Sequence, residues 1–222
     1  MSEIERMRVI VTGAAGALGS KVAQAFLSQG AIVTGIDVIT FDAEFETKQA
    51  DLISKEDTDR VFSEIGQVDV LANIAGGFTM GDSVVDTSDT TWDFMLNLNS
   101  RTVLNTVRAV VPGMREKGAG KIINIGARNG QRGVGQMGAY SASKSIVIRL
   151  TESLADELKA EGINVNCVLP SIIDTPTNRR DMPSSDFSKW VKPEALAKVV
   201  LFLASSAADP IHGASIPVEG LS

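Results

Sequence analysis

Thr12-Gly13-Ala14-Ala15-Gly16-Ala17-Leu18-Gly19 is the stretch on which the fold turns. Before it lies a short β-branched run, Arg8 to Val11, that reads as a buried strand; after it, Ala17 to Ser28 reads as an amphipathic helix. Gly30 ends that helix and Ala31 to Ile36 makes a second strand. A strand–turn–helix–strand unit of about 30 residues has the size of a βαβ crossover. In such a unit Gly13 makes the tight turn, Gly16 lets the backbone approach a pyrophosphate, and Gly19 allows close helix–sheet packing. The helix start, with Ala15, Ala17 and Leu18 along the turn, offers unpaired N–H groups and the positive dipole end to an anion. Three spaced glycines alone also fit a plain tight turn; their place between strand and helix points to a dinucleotide.

Asp37 ends the second strand, 18 residues after Gly19. A carboxylate there can accept from both hydroxyls of an adenosine ribose and repels a 2′-phosphate. No arginine or lysine follows closely, so NADH/NAD is expected over NADPH. The competing reading is a capping aspartate.

The alternation then repeats. Val68 to Asn73, Lys121 to Ile125, Ile163 to Leu169 and Ala214 to Val218 read as strands, and Asp57 to Ile65, Asp89 to Arg115, Tyr140 to Ala160 and Pro193 to Ser205 as helices. Strands alternating with helices predict a parallel sheet covered on both faces, an α/β fold, in one domain over 1–222. Residues 171–192 show no clear period, which predicts a functional loop or lid.

Composition narrows the function. Hydrophobic residues at 44% and charged residues at 22% argue against wholesale disorder. A net charge of −6 lacks the basic footprint of a nucleic-acid binder. One cysteine makes no internal disulfide and, with one histidine, leaves little for a metal; no metal site is expected. The start, Met-Ser-Glu-Ile-Glu-Arg, is no secretory leader, and apolar runs such as Val199 to Ala204 fall far short of the roughly 20 residues of a membrane helix. A soluble, cytoplasmic protein is expected, with neither nucleic acid nor membrane as partner.

Tyr140-Ser141-Ala142-Ser143-Lys144 opens a predicted helix, and Tyr140 and Lys144, four apart, share a face. A cation beside a phenol lowers its pKa, so Tyr140 is a candidate proton donor. Alone, this spacing equally fits a buried tyrosine with an unrelated lysine.

Together the cofactor turn and this pair resemble the short-chain dehydrogenase/reductase family over nearly the whole chain. Asp51-Leu52 sits where the family binds adenine, after a short strand, and Asn73-Ile74-Ala75-Gly76 is similar to its Asn-Asn-Ala-Gly motif. Asn99 matches its helical catalytic asparagine; Pro170, Ile173 and Thr175 match the segment that holds the nicotinamide carboxamide. The resemblance implies a Rossmann-type doubly wound, mostly parallel sheet of about seven strands and an oxidoreductase of a small-molecule substrate. It also implies a homodimer or homotetramer, pairing through helices that carry Val103, Val107, Ile146 and Leu150.

One departure matters most. The family's catalytic serine lies 13 residues before the tyrosine, and Ala127 stands there. Losing such a donor ordinarily costs about 10²–10³ in rate. Either another group compensates, or the substrate is no ordinary ketone, or the protein is inactive. The quinonoid dihydropteridine reductase branch also carries alanine there. Gly16 to Ser20, Ala75 to Phe78 and the loop from Asp174 to Trp190 resemble that branch, whereas Asn73 and Asn99 fit the ordinary family better. The expected function is NADH-dependent reduction of a quinonoid dihydropterin, with Phe78, Ala127, Met182, Phe187 and Trp190 lining the substrate pocket. A carbonyl reductase and a non-catalytic NAD-binding scaffold are the alternatives. Arg179-Arg180 reads as solvated loop charge or a substrate contact, Cys167 as a small buried hydrophobe and His212 as a surface loop residue.

Overall fold

A computed structural model describes residues 3–222, so Met1 and Ser2, at the start of the stretch judged no leader, lie outside it. Seven strands form one sheet: β1 (Arg8–Thr12), β2 (Ile32–Asp37), β3 (Glu46–Gln49), β4 (Val70–Asn73), β5 (Gly120–Ile125), β6 (Ile163–Pro170) and β7 (Ser215–Val218). Their order is β3-β2-β1-β4-β5-β6-β7 and every pairing is parallel. The sheet is the Rossmann-type doubly wound one expected, and wholly rather than mostly parallel.

Alternation along each strand splits the core in two. Val9 and Val11 of β1, Val70 and Ala72 of β4, and Ile123 and Ile125 of β5 face α1 (Ala17–Ser28) and α7 (Pro193–Ala204). Ile10, Leu71 and Ile122 face the opposite way, onto α2 (Lys55–Ile65), α4 (Thr102–Lys117) and α5 (Gly138–Leu158). Among the described residues no helix is long and apolar enough to cross a membrane.

Three expectations are corrected. The stretch predicted as one helix over Asp89 to Arg115 is α3 (Asp89–Leu96), a π-helical turn (Asn97–Arg101) and α4, which runs on to Lys117. Residues 171–192 are not wholly irregular: they hold α6 (Pro176–Asp181), a 3₁₀ turn (Phe187–Lys189) and a bridge between Ile173 and Val191. Thr175 caps α6 by accepting from Asn178 N at 3.1 Å, and Pro176 sits at its first position, where its missing N–H costs nothing. Val103 and Val107 are 3% exposed and belong to the core, so only Ile146 of the apolar residues named for pairing is an exposed one.

Candidate active site

The cofactor turn leads from β1 into α1 and lies beside the C-terminal end of β4, the neighbour at which the strand order reverses, the place where doubly wound sheets bind ligands. Thr12 Oγ1 accepts from Ile74 N and Ala75 N, both at 3.0 Å. Gly13 has φ +64° and an added Cβ would lie 2.9 Å from Ala75 N. On Gly19 an added Cβ would lie 2.0 Å from the Gly13 carbonyl oxygen, so only glycine lets α1 come this close. Gly16 and Ala17 are exposed, no side chain caps the start of α1, and no acidic residue occupies its first turn. This cradle of glycines and free N–H groups fits a dinucleotide pyrophosphate.

Asp37 closes the lip of the cradle. Its Oδ2 accepts from Ala15 N at 3.0 Å and its Oδ1 from Val38 N at 2.8 Å. Val38 and Ile39 follow with 60% and 56% exposure, an apolar ledge that sequence reading missed although two β-branched residues after the acidic strand end were there to be seen. Asp51 is exposed and its Oδ1 accepts from Ile53 N at 2.9 Å; Leu52 is buried beneath. Asn73 is placed differently from the rest. Its side chain is 3% exposed, its Nδ2 donating to Asn124 Oδ1 at 2.9 Å and its Oδ1 accepting from Thr106 Oγ1 at 2.8 Å, so it ties the sheet to α4.

Asn99, Gly76 and Lys144 crowd around one point. A Cβ on Gly76 would lie 2.7 Å from Asn99 Oδ1 and 3.2 Å from Lys144 Nζ. The π-helical turn carries Asn99 inward, where it accepts from Gly77 N at 2.9 Å and donates to Gly77 O at 3.1 Å and Ser143 Oγ at 3.0 Å. Lys144 Nζ donates to Ile125 O at 2.8 Å. Tyr140 is half-buried on the same helix, with Phe78 edge-on to its ring at 4.8 Å and 85°. Ala127, 5% exposed, follows β5 with no hydroxyl to offer.

The expected lowering of the phenol pKa is not found. Burial pushes Tyr140 up to about 12, and burial also pushes Lys144 down to about 8. The ammonium is aimed at the Ile125 carbonyl, and desolvation rather than the lysine sets the state of the phenol. Tyr140 therefore keeps its proton at neutral pH, which suits an acid rather than a base. Burial likewise holds the Cys167 thiol up at about 11, an inert core sulfur as expected.

The loop residues are brought together among themselves. Arg179 grips Asp174 with two hydrogen bonds of 2.5 and 2.8 Å and lies 4.8 Å above the Phe187 ring, which packs on Trp190 at 4.8 Å. Trp190 is buried and Met182 and Phe187 are half-buried; Phe78 is the pocket residue that touches Tyr140. Arg180 stays exposed beside Asp181.

Compared with known proteins, residues 7–185 match the model of the short chain dehydrogenase family. The chain is 30% identical to dehydrogenase/reductase SDR family member 6 of Rattus norvegicus, covering 99% of this chain and 98% of that protein. It is 33% identical to a D-xylose 1-dehydrogenase of Caulobacter vibrioides, covering 93% and 91%. A short chain dehydrogenase of Penicillium rubens is 31% identical, covering 99% and 98%.

Proposed function

This chain belongs to the short-chain dehydrogenase family, and from that premise we propose that it is an NADH-dependent reductase whose acceptor is a quinonoid dihydropterin, reduced to the tetrahydropterin. One observation carries the choice of acceptor: Ala127, buried beside the tyrosine helix, in place of a hydroxyl donor. Hydride addition to a conjugated ring leaves no alkoxide to stabilise, so the absent hydroxyl costs little there, whereas a ketone needs another donor in its place. NADH would supply the hydride when bound. The chain's own residues do the rest. The glycine turn and the start of α1 hold the pyrophosphate, Asp37 the adenosine ribose, and Pro170, Ile173 and Thr175 the far end. Tyr140 gives the proton, directly or through water. Lys144 holds the ribose next to the reacting ring, and Asn99, fixed by Gly77 and Ser143, keeps the lysine's surroundings ordered.

A second reading, a carbonyl reductase, is favoured by a specific observation: Asn129 carries an amide donor on the turn directly after Ala127. A relative named as a D-xylose 1-dehydrogenase supports it too. A non-catalytic scaffold is disfavoured, since cofactor binding alone has no use for the full Asn99–Tyr140–Lys144 set, Tyr140 above all. We also propose a cytoplasmic homodimer or homotetramer, paired through α4 and α5 where Ile146 is exposed.

Ala127→Ser separates the acceptors. Pterin reduction should change by less than about threefold, because no developing oxyanion faces the new hydroxyl. A roughly hundredfold rise in ketone turnover, in a protein that ignores pterins, would mark a disabled ordinary reductase and end the pterin assignment.

A further inference from the structure

Two contacts tie the end of β5 and the segment after it to the start of α5. At one end Lys144 Nζ meets Ile125 O at 2.8 Å; at the other Asn129 Nδ2 meets Met137 Sδ at 3.3 Å. Residues 125 and 129 thus touch Lys144 of α5 and Met137, the residue just before α5, which lie on either side of Tyr140 in the chain. Ala127 lies between residues 125 and 129. Asn129 lies two residues after Ala127, on the turn that directly follows it.

The turn that carries Asn129 is firmly seated. Arg128–Gly130 is a 3₁₀ turn; Ser145 Oγ donates to Gly130 O at 2.6 Å, and a Cβ on Gly130 would lie 2.9 Å from the Lys144 carbonyl carbon. Arg128 is spent elsewhere, on Glu219 at 3.1 Å and Ser222 O at 3.2 Å. Asn129 is not spent. It is half-buried, and the Met137 thioether, a weak acceptor, is the single hydrogen-bond partner of its side chain among the described residues. A half-buried amide with a poor partner gives up little when a better acceptor arrives.

We propose that the Asn129 side-chain amide donates the hydrogen bond to the acceptor's oxygen, in place of the hydroxyl that Ala127 lacks. This rests on reduction taking place at Tyr140, and it holds for a ring oxygen of a pterin and for a simple carbonyl oxygen alike. Asn129 is then a substrate-binding residue, and with a carbonyl acceptor it stands in for the missing hydroxyl.

The test uses two probes with NADH: quinonoid 6,7-dimethyldihydropterin, and 9,10-phenanthrenequinone as a flat diketone. Asn129→Ala, and Asn129→Asp as a variant of the same shape without the donor, are compared with wild type, with melting temperatures as the check on folding. Each variant that melts like wild type should lose at least about tenfold in acceptor kcat/KM on the reduced probe, with the NADH Kd within twofold. Adding Ala127→Ser to Asn129→Ala should recover about threefold or more, since either donor can serve. Acceptor kcat/KM within twofold of wild type would overturn the role of Asn129 and leave the reductase standing. A wild type that binds NADH yet reduces neither probe would overturn the reductase and this role with it.

Discussion

Phenylalanine at position 140 is expected to cut acceptor reduction by about 10²–10⁴, the span of a positioned general acid. With a quinonoid pterin the loss should fall near the lower end, because the ring also takes protons from water. The phenol is half-buried beside Phe78 and held up to about 12 by burial, so it carries its proton throughout the neutral range. Below that value it is an available acid, and no pH activation of reduction should come from it. The substitution removes one oxygen and keeps the ring, so the edge contact with Phe78 and the packing of α5 survive. Melting temperature and NADH affinity should stay near wild type while turnover collapses. Turnover of Tyr140→Phe within threefold of wild type would take the proton transfer away from this residue.

NADH is expected to bind roughly 10²–10³-fold more tightly than NADPH, and Asp37 is the cause. Its carboxylate is fixed by Ala15 N and Val38 N at the mouth of the glycine turn. A 2′-phosphate at about 4 Å from it would meet a repulsion of about 4 kcal/mol per unit charge at an effective dielectric of about 20, before screening. Asp37→Ala should narrow the gap to about tenfold or less, by relieving NADPH and by weakening NADH as the ribose loses its acceptor. Fluorescence titration of both cofactors against both proteins gives all four constants. Equal constants in wild type would remove Asp37 from the ribose.

The parts of this fold that were legible in the sequence were those with a local cause. The glycine turn announces itself because two of its three glycines leave no room for a Cβ, as Gly19 against the Gly13 carbonyl shows. The buried strands announce themselves as apolar runs. By contrast β3, Glu-Thr-Lys-Gln at the sheet edge, has no hydrophobic signal and was expected only from the family position of Asp51. The π-helical turn around Asn99 left no mark either, because its cause is tertiary: the asparagine side chain is drawn onto Gly77 and Ser143, whose sequence distance is large. The helix in the loop did carry its signature, Thr175 followed by Pro176, and was overlooked because six residues are too few to show a period. Val103 and Val107 were misjudged as interface because sequence gives the spacing of a helix face but not what covers it. Asn73 was assigned to the cofactor on its motif, and its side chain turns into a buried network with Asn124 and Thr106 that only the strand register reveals. Asn129 carries no signal in the sequence, since nothing there shows that residues 125 and 129 touch Lys144 and Met137.

We propose that these residues form a working NADH site for a conjugated ring acceptor. The most direct test is NADH oxidation by wild type with freshly generated quinonoid dihydropterin, set beside a panel of ketones and aldehydes at matched concentrations. Pterin-dependent oxidation that saturates and exceeds every carbonyl by at least about tenfold in kcat/KM is the expected result. Saturable turnover of a carbonyl with no enzymatic pterin reduction would contradict it.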